Sequence, residues 1–232
     1  MTLHTSGIIL QIENYRESDK LLTFYSKDLG KIIILARGAR KIKSKLVGLC
    51  QPFTLLHLVI APGKNFYHLI DGRAREIFSG ISQDFAKINT ANFLLGMVDR
   101  LVKREKKDKK IFALVVKTLK VLDSSEEKTK ILACAFILKL LSFLGYRPEI
   151  RACLVCGKRV FEEAVFDFER GGLVCQRCRR HSQSEVKVSL ETLSLLQDLL
   201  HKKYAFLEAR PVKDENLIQA KKIIEKFLAW TT

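Results

Sequence analysis

The sequence predicts an α+β protein made of a small N-terminal β-barrel followed by an all-α domain with a cysteine-rich insert. Three observations support this class. Short apolar runs separated by turn residues fill the chain up to Gly80. Apolar residues then recur at helical spacing, and two C-x2-C pairs lie within residues 152–180. This order of elements is typical of a chain with separate β and α parts.

The N-terminal runs are rich in Ile, Leu, Val, Phe and Tyr, which favour strands. Predicted strands cover residues 7–13, 20–27, 31–36, 53–61, 66–70 and 73–78. Turn residues such as Asp28-Leu29-Gly30 and Asp71-Gly72 separate them. Short strands at this density suit a closed barrel, and the five-stranded oligonucleotide-binding (OB) fold is the matching architecture.

Helical periodicity begins after Gly80, and it predicts five helices. They cover about residues 84–103, 110–122, 124–145, 189–203 and 214–230. Ser124 and Glu127 have the spacing of a capping box at the start of the third helix. We therefore predict an OB domain at 1–80, a helical domain at 81–151 and 181–232, and a metal-binding insert at 152–180.

The insert contains C-x2-C twice, which is the spacing of a four-thiolate zinc ribbon or knuckle. The predicted ligands are Cys153, Cys156, Cys175 and Cys178. A hairpin between the pairs would bring the second knuckle back to the first. Four thiolates leave no open position on a tetrahedral zinc ion, so the predicted site holds one structural Zn²⁺ ion.

Two alternatives apply to the cysteines. A redox C-x-x-C would use one pair alone, and the presence of two matched pairs argues against it. His181, three residues after Cys178, is a possible substitute ligand. Cys50 and Cys134 lie among apolar residues and are predicted to be inert core residues.

The composition is strongly basic, with 41 Lys and Arg against 25 Asp and Glu and a formal net charge of +16. Such an excess favours a polyanion as partner, and the alternative is an enzyme with a basic surface. No signal-peptide pattern is visible in residues 1–10, and the apolar run at 131–144 is too short to span a bilayer. A cytoplasmic protein without a membrane partner is therefore expected.

The basic residues are concentrated in the predicted barrel. Residues 29–70 contain no Asp or Glu and seven Lys or Arg. The predicted DNA-binding residues are Lys31, Arg37, Arg40, Lys41, Lys43 and Lys45. They would follow the phosphate backbone without reading bases. The alternative is a solvated loop with no ligand.

Aromatic residues near these cations offer surfaces on which bases could stack, although aromatic residues of a small barrel commonly belong to its core. They are Phe24, Tyr25, Phe53, Phe66 and Tyr67. No phosphate-binding loop, H-E-x-x-H or deaminase motif is present in the sequence. No catalytic residue is assigned, and a non-enzymatic protein is predicted.

Several segments in order along the chain resemble the RecO family of DNA repair proteins. They are residues 7–10, 15–21, 30–31, 36–40, 49–53, 144–148, 153–157 and 171–175. The resemblance implies an OB barrel, a helical domain and a zinc insert. It also implies a bacterial, nucleoid-associated protein that binds single- and double-stranded DNA and anneals complementary strands.

The same resemblance implies partners. RecO proteins work with RecR, and some also with RecF, to load the RecA recombinase on DNA coated by single-strand-binding protein. Their helical domain contacts the acidic, apolar C-terminal tail of that protein. Lys139, Arg147 and Lys202 are cations considered for this contact. Two other classes stay open: an RNA-binding, ribosome-associated zinc module and a metal-dependent nuclease.

Overall fold

The computed structural model describes residues 2–125, 128–160, 164–180 and 183–231. The chain forms two compact units, Met1–Thr129 and Lys130–Thr232. The first unit contains the barrel and the helices that follow it. The second contains the cysteine-rich segment and the remaining helices. The predicted domain ranges group these elements differently and stay a prediction.

Five strands form a closed barrel in the first unit, which confirms the predicted OB-like architecture. They are β1 (Leu3–Tyr15), β2 (Asp19–Ser26), β3 (Gly30–Ala36), β4 (Thr54–Ala61) and β5 (Tyr67–Ile77). Their order around the barrel is β1-β2-β3-β5-β4. The β3–β5 pair is parallel and the other pairs are antiparallel. Strand β4 alternates regularly between buried and half-buried residues, as expected for a strand with one face toward a core.

Strand β5 corrects one expectation, because Asp71-Gly72 lies within a continuous strand and is not a turn. A Cβ atom at Gly72 would lie 2.7 Å from Leu58 Cδ2 and 2.9 Å from the carbonyl oxygen of His57. The glycine therefore allows β5 to approach β4 closely. The register also shifts at Ile70 and at Arg75, each an extra residue on β5 opposite β4. Such bulges increase the bend of a strand and help a small barrel to close.

Three helices follow the barrel: α1 (Ser79–Ser82), α2 (Phe85–Leu101) and α3 (Lys109–Ser124). Asp84 and Asp108 cap α2 and α3 by accepting hydrogen bonds from the first free backbone N–H groups. The predicted capping box at Ser124 is wrong. Ser124 ends α3, where its hydroxyl donates to the carbonyl of Lys120, and Glu127 lies outside the described residues.

The second unit begins with α4 (Thr129–Leu144), which is buried on nearly every side. A three-stranded sheet in the order β7-β6-β8 follows, built from β6 (Ala164–Asp167), β7 (Gly172–Cys175) and β8 (Glu185–Val188). The β6–β7 pair is the predicted hairpin. The unit ends with α5 (Leu190–His201), α6 (Tyr204–Ala209) and α7 (Asp214–Thr231). The sequence indicated neither β8 nor α6.

Ser189 caps α5 through the N–H of Thr192, as predicted. Among the described residues, none of the helices combines the length and apolarity needed to cross a membrane.

The close approach at Gly72 can be tested by substitution. We expect Gly72→Val to lower the free energy of unfolding by about 1–3 kcal/mol, because the new side chain would displace Leu58. Gly96→Ala is the matched control, since a Cβ atom at this site in α2 meets nothing within 4 Å. It should raise stability by about 0.5–1 kcal/mol. Denaturant unfolding of both variants measures the difference, and equal effects would contradict the role of Gly72.

Candidate metal centre and nucleic-acid interface

The four predicted ligands come together in the second unit. The Sγ atoms of Cys153, Cys156, Cys175 and Cys178 all lie within 4.8 Å of one another. The first knuckle is closed by the Gly157 N–H, which donates to the Cys153 carbonyl at 2.9 Å. Gly157 has φ +70°, a conformation that favours glycine. The second pair lies at the end of β7 and in a 3-10 helix, Gln176–Cys178, whose following residue Arg179 has an ordinary φ of −64°.

The environment of Cys153 favours its thiolate. Burial alone would raise the pKa of this thiol. The backbone N–H groups of Cys175 and Val155 each donate to its sulfur at 3.4 Å, and the pKa falls to about 6. A metal binds the deprotonated form of a cysteine, and these hydrogen bonds stabilise that form of Cys153.

The spacing of the sulfurs fits a tetrahedral metal ion. Metal–sulfur bonds of about 2.3 Å place neighbouring sulfurs about 3.8 Å apart, and the Cys156 and Cys175 sulfurs are 3.9 Å apart. The remaining cysteines of the chain are elsewhere: Cys50 and Cys134 are buried, and burial raises the pKa of both thiols. His181 lies outside the described residues.

An ion pair attaches the third strand of the sheet to this centre. The Arg179 Nε donates to the Glu185 carboxylate at 2.9 Å, and the Glu185 side chain is only 2% exposed. Arg179 follows the last ligand and Glu185 begins β8. The guanidinium is therefore engaged inside the unit and adds little to its surface charge.

The predicted DNA-binding loop joins β3 to β4 in the first unit. Arg37, Lys41, Lys43 and Lys45 are exposed, and none of them forms an ion pair within the part of the chain that the structure describes. Ile42, between two of these lysines, is fully exposed. The loop therefore presents a dense positive surface on which an apolar side chain also projects.

Hydrogen bonds fix the base of this loop to the turn between β1 and β2. The Arg40 guanidinium donates to the carbonyls of Arg16 and Glu17 at 3.2 and 2.9 Å. The Gly38 N–H donates to the Asp19 carboxylate at 2.8 Å, and this bond holds the Asp19 pKa below its ordinary value. Arg40 is therefore exposed and also joins the loop to the β1–β2 turn.

Lys31 is not part of this surface. Its ammonium group pairs with the Asp99 carboxylate at 3.1 Å and also donates to the Asp99 backbone carbonyl. The Lys31 side chain is 12% exposed. The arrangement attaches β3 to α2 and does not favour phosphate binding by Lys31.

The five aromatic residues divide between core and surface. Phe24, Tyr25 and Phe53 are buried in the first unit. Phe66 and Tyr67 are half-buried and line a cavity of about 200 Å³ beside the β4–β5 turn. Lys64 and Arg104 line the same cavity, and Tyr15 packs edge-on against Phe66. Arg104 belongs to the basic run 103–110, which the sequence favours as a solvated linker and at most an auxiliary phosphate contact. The fold brings this residue against Lys31 of β3, which the sequence alone did not indicate.

The second unit has a separate cavity of about 390 Å³ between the insert and α5. Its lining residues are Arg151, Arg159, Val160, Leu190, Leu193, Ser194 and Gln197. Two guanidinium groups and several apolar side chains therefore share one recess, which suits an acidic and apolar ligand. Sequence reasoning did not single out these arginines, since they are far apart from α5 along the chain.

The three cations considered for the tail contact have other partners, and the Lys202 ammonium group lies 5.1 Å from the centre of the Phe206 ring. Lys139 donates to the carbonyls of Leu200 and Lys202 at the end of α5. Arg147 lies 2.8 Å from His201 Nε2. Burial, with the positive charges of Arg151 and Arg147, lowers the His201 pKa, so this imidazole is held neutral between Arg147 and the Gln197 carbonyl.

The closed barrel with its exposed basic loop and the four-cysteine centre define a class of proteins with an OB-like barrel and a candidate metal site. Two family models match the chain, Recombination protein O N terminal over residues 1–78 and Recombination protein O C terminal over residues 82–232. The chain therefore belongs to the recombination protein O (RecO) family. This membership supports a role in recombinational DNA repair.

Curated relatives agree with the family models. A protein of Caldanaerobacter subterraneus subsp. tengcongensis named DNA repair protein RecO is 30% identical over 226 residues, covering 97% of this chain and 91% of the relative. RecO of Alkaliphilus metalliredigens is 30% identical, with 87% and 82% covered. RecO of Acetivibrio thermocellus is 28% identical, with 97% and 90% covered. These names describe DNA repair proteins and specify no catalytic activity.

Metal analysis tests the cysteine centre. We expect the purified full chain to hold one metal ion, and Cys156→Ser to lose it together with roughly several kcal/mol of stability in the second unit. His181→Asn is the matched control and should retain the ion and the wild-type melting temperature. Loss of metal from the histidine variant, or full metal content in Cys156→Ser, would contradict a four-thiolate centre.

Proposed function

We propose that this chain is a non-enzymatic DNA-binding protein of recombinational repair, which anneals complementary strands. The observation that carries the proposal is the exposed loop of Arg37, Arg40, Lys41, Lys43 and Lys45, which contains no acidic residue. Family membership supports DNA as the polyanion.

The loop would act by neutralising phosphates. Annealing requires no chemical step, only the close approach of two polyanions, which their own charge opposes. Lys41, Lys43 and Lys45 supply exposed ammonium groups. The hydrogen bonds of Arg40 to the β1–β2 turn keep the base of the loop in place on the barrel. None of these groups reads a base edge, so binding should be independent of sequence.

Single strands would gain a second contact at the β4–β5 turn. Phe66 and Tyr67 offer partly exposed rings, and Lys64 and Arg104 lie beside them. Stacking on an aromatic ring adds about 1–3 kcal/mol per base and tolerates every base. This combination of rings and cations supports binding of single-stranded DNA in addition to duplexes.

The four-cysteine centre would hold one structural zinc ion. Thiolates are the ligands that zinc prefers, and four of them complete its tetrahedral shell without a site for water. The ion would fix the two knuckles against β6 and β7, so that its contribution is to folding of the second unit.

The partners would be those of the RecO family: RecR, in some members RecF, and single-strand-binding protein, with the outcome that RecA is loaded on the DNA. The recess lined by Arg151, Arg159 and Leu193 suits the acidic, apolar tail of single-strand-binding protein. Guanidinium groups bind carboxylates in bidentate fashion, and the leucines would take the apolar side chains. An RNA-binding module is the alternative, and competition between matched DNA and RNA strands distinguishes it.

The salt dependence of DNA binding tests the loop. We expect the variant Lys41→Ala/Lys43→Ala/Lys45→Ala to bind all sequences more weakly. The slope of log affinity against log salt should flatten by about one for every phosphate that the variant no longer neutralises. Lys117→Ala, an exposed cation on α3, is the control. An unchanged salt slope in the triple variant would show that the DNA-binding site lies outside this loop.

The three lysines suit this test better than the arginine at the base of the loop. Among the described residues, their side chains form no hydrogen bond or ion pair. Arg40→Ala would in addition release the loop from the β1–β2 turn, so its effect on binding would mix charge with structure.

Binding of a synthetic tail peptide tests the recess. We expect Arg151→Ala/Arg159→Ala to weaken binding of a peptide with the C-terminal sequence of single-strand-binding protein by about tenfold or more, because the variant removes charged hydrogen bonds. DNA affinity should stay near the wild-type value. Lys222→Ala, an exposed cation on α7, is the control. Unchanged peptide affinity in the double variant would exclude the recess.

A further inference from the structure

Four polar side chains meet on the outer face of the barrel, outside the basic loop. We call this group the outer cluster: His4 and Ser6 on β1, His57 on β4, and Arg75 on β5. The Ser6 hydroxyl lies 3.1 Å from His57 Nδ1, and Arg75 donates to the same hydroxyl at 3.4 Å. The His4 and His57 rings lie side by side, with centroids 5.9 Å apart and an interplanar angle of 30°. The cluster therefore joins three strands at one place.

The backbone directs Arg75 into this cluster. Leu55 pairs with Glu76 and Leu56 pairs with Ala74, so Arg75 is the extra residue of a bulge in β5. A bulge turns a side chain away from its regular direction and recurs at functional sites. Ser6 and His57 are directly opposite in the β1–β4 register, which brings their side chains together without any bulge.

The charges around the cluster favour an anion. Arg73 is the cross-strand partner of His57 on β5. The neighbouring Glu76 carboxylate is engaged by Lys120 at 2.7 Å, and the Asp71 carboxylate accepts the Gly72 N–H at 2.8 Å. Guanidinium, imidazole and hydroxyl groups all donate hydrogen bonds to phosphate oxygens. The outer cluster thus offers convergent donors in a locally positive surface.

The cluster and the basic loop lie toward opposite ends of β1. Arg40 donates a hydrogen bond to the turn that follows Tyr15, whereas Ser6 lies near the start of the strand. At about 3.3 Å per residue, Ser6 and Tyr15 are separated by about 30 Å along the strand. A nucleic acid strand bound at the loop can therefore leave the outer cluster accessible.

We propose that the outer cluster binds the phosphate backbone of a second nucleic acid strand, so that one chain holds two strands at once. The inference rests on the proposed function and deepens it, since it supplies the second strand that annealing requires. Arg75 and the two imidazoles contact phosphate oxygens, and Ser6 holds His57 and Arg75 in position.

The number of strands bound per chain tests this proposal. The full chain is titrated at low salt with a fluorescent oligothymidine of about four nucleotides, the lower end of the site size of an OB fold, so that each strand occupies one site. This strand cannot pair with itself. We expect two strands per wild-type chain and two per Lys117→Ala chain. In His57→Gln/Arg75→Ala the affinity for one strand should fall about tenfold or more, since charged hydrogen bonds are removed, while the other strand keeps its affinity. The triple lysine variant should bind the DNA strand at the loop more weakly and keep the affinity of the strand at the outer cluster.

Each other result contradicts the proposal. Two strands with wild-type affinities in His57→Gln/Arg75→Ala, or one strand on the wild-type chain, would exclude the outer cluster as a site and leave the proposed function intact. No binding by the wild-type chain would overturn the proposed function as well. Should the double variant melt early, His57→Asn alone decides, because the asparagine amide lies at the position of Nδ1 and can keep the hydrogen bond to Ser6 while the rest of the imidazole is removed.

Discussion

The architecture depends on how the barrel closes. Strand β5 lies between β3 and β4, and it meets β3 in parallel through only two residue pairs, Ile34 with Tyr67 and Leu35 with His68. Because β3 and β4 are not neighbours, the chain cannot join them by a tight hairpin turn. It must cross the end of the barrel, and the exposed basic loop is that crossing. The same closure brings the β4–β5 turn beside β3, where the aromatic cavity lies.

Hydrogen bonds to the β1–β2 turn convert this long connection into a defined surface. The Asp19 carboxylate and the Arg40 guanidinium join the loop to residues 16–19 at its base, and beyond them the lysines extend into solvent. Two of the barrel segments that resemble RecO, 15–21 and 36–40, are the two that make these contacts. The two segments therefore form one physical unit, the anchored base of the loop.

Local pattern predicted the parts of the fold that depend on neighbours along the chain. The cap at Ser189 and the β6–β7 hairpin both use contacts within a few residues. The predicted turn at Asp71-Gly72 is wrong. A glycine is needed there because a side chain at this position would collide with Leu58, and sequence spacing does not reveal that contact. Strand β8 was missed since its pairing and its Arg179–Glu185 ion pair exist only in the folded sheet.

The candidate sites follow the same division. Cysteine spacing alone predicted the four sulfurs that the fold brings together. Charge density alone could not separate Lys31, which is paired with Asp99, from the exposed lysines of the loop. Nor could it find Arg151 and Arg159, or show that Arg104 of the basic run 103–110 lies beside Phe66, because these positions depend on contacts between distant segments.

The central claim is that an anchored cationic loop brings two polyanionic strands together. Annealing of two labelled complementary DNA strands, each precoated with single-strand-binding protein, across a salt series tests it most directly. The account predicts fast annealing that slows steeply as salt rises, because phosphate neutralisation carries the reaction. Tight binding of the same strands without annealing, or annealing that does not respond to salt, would contradict it.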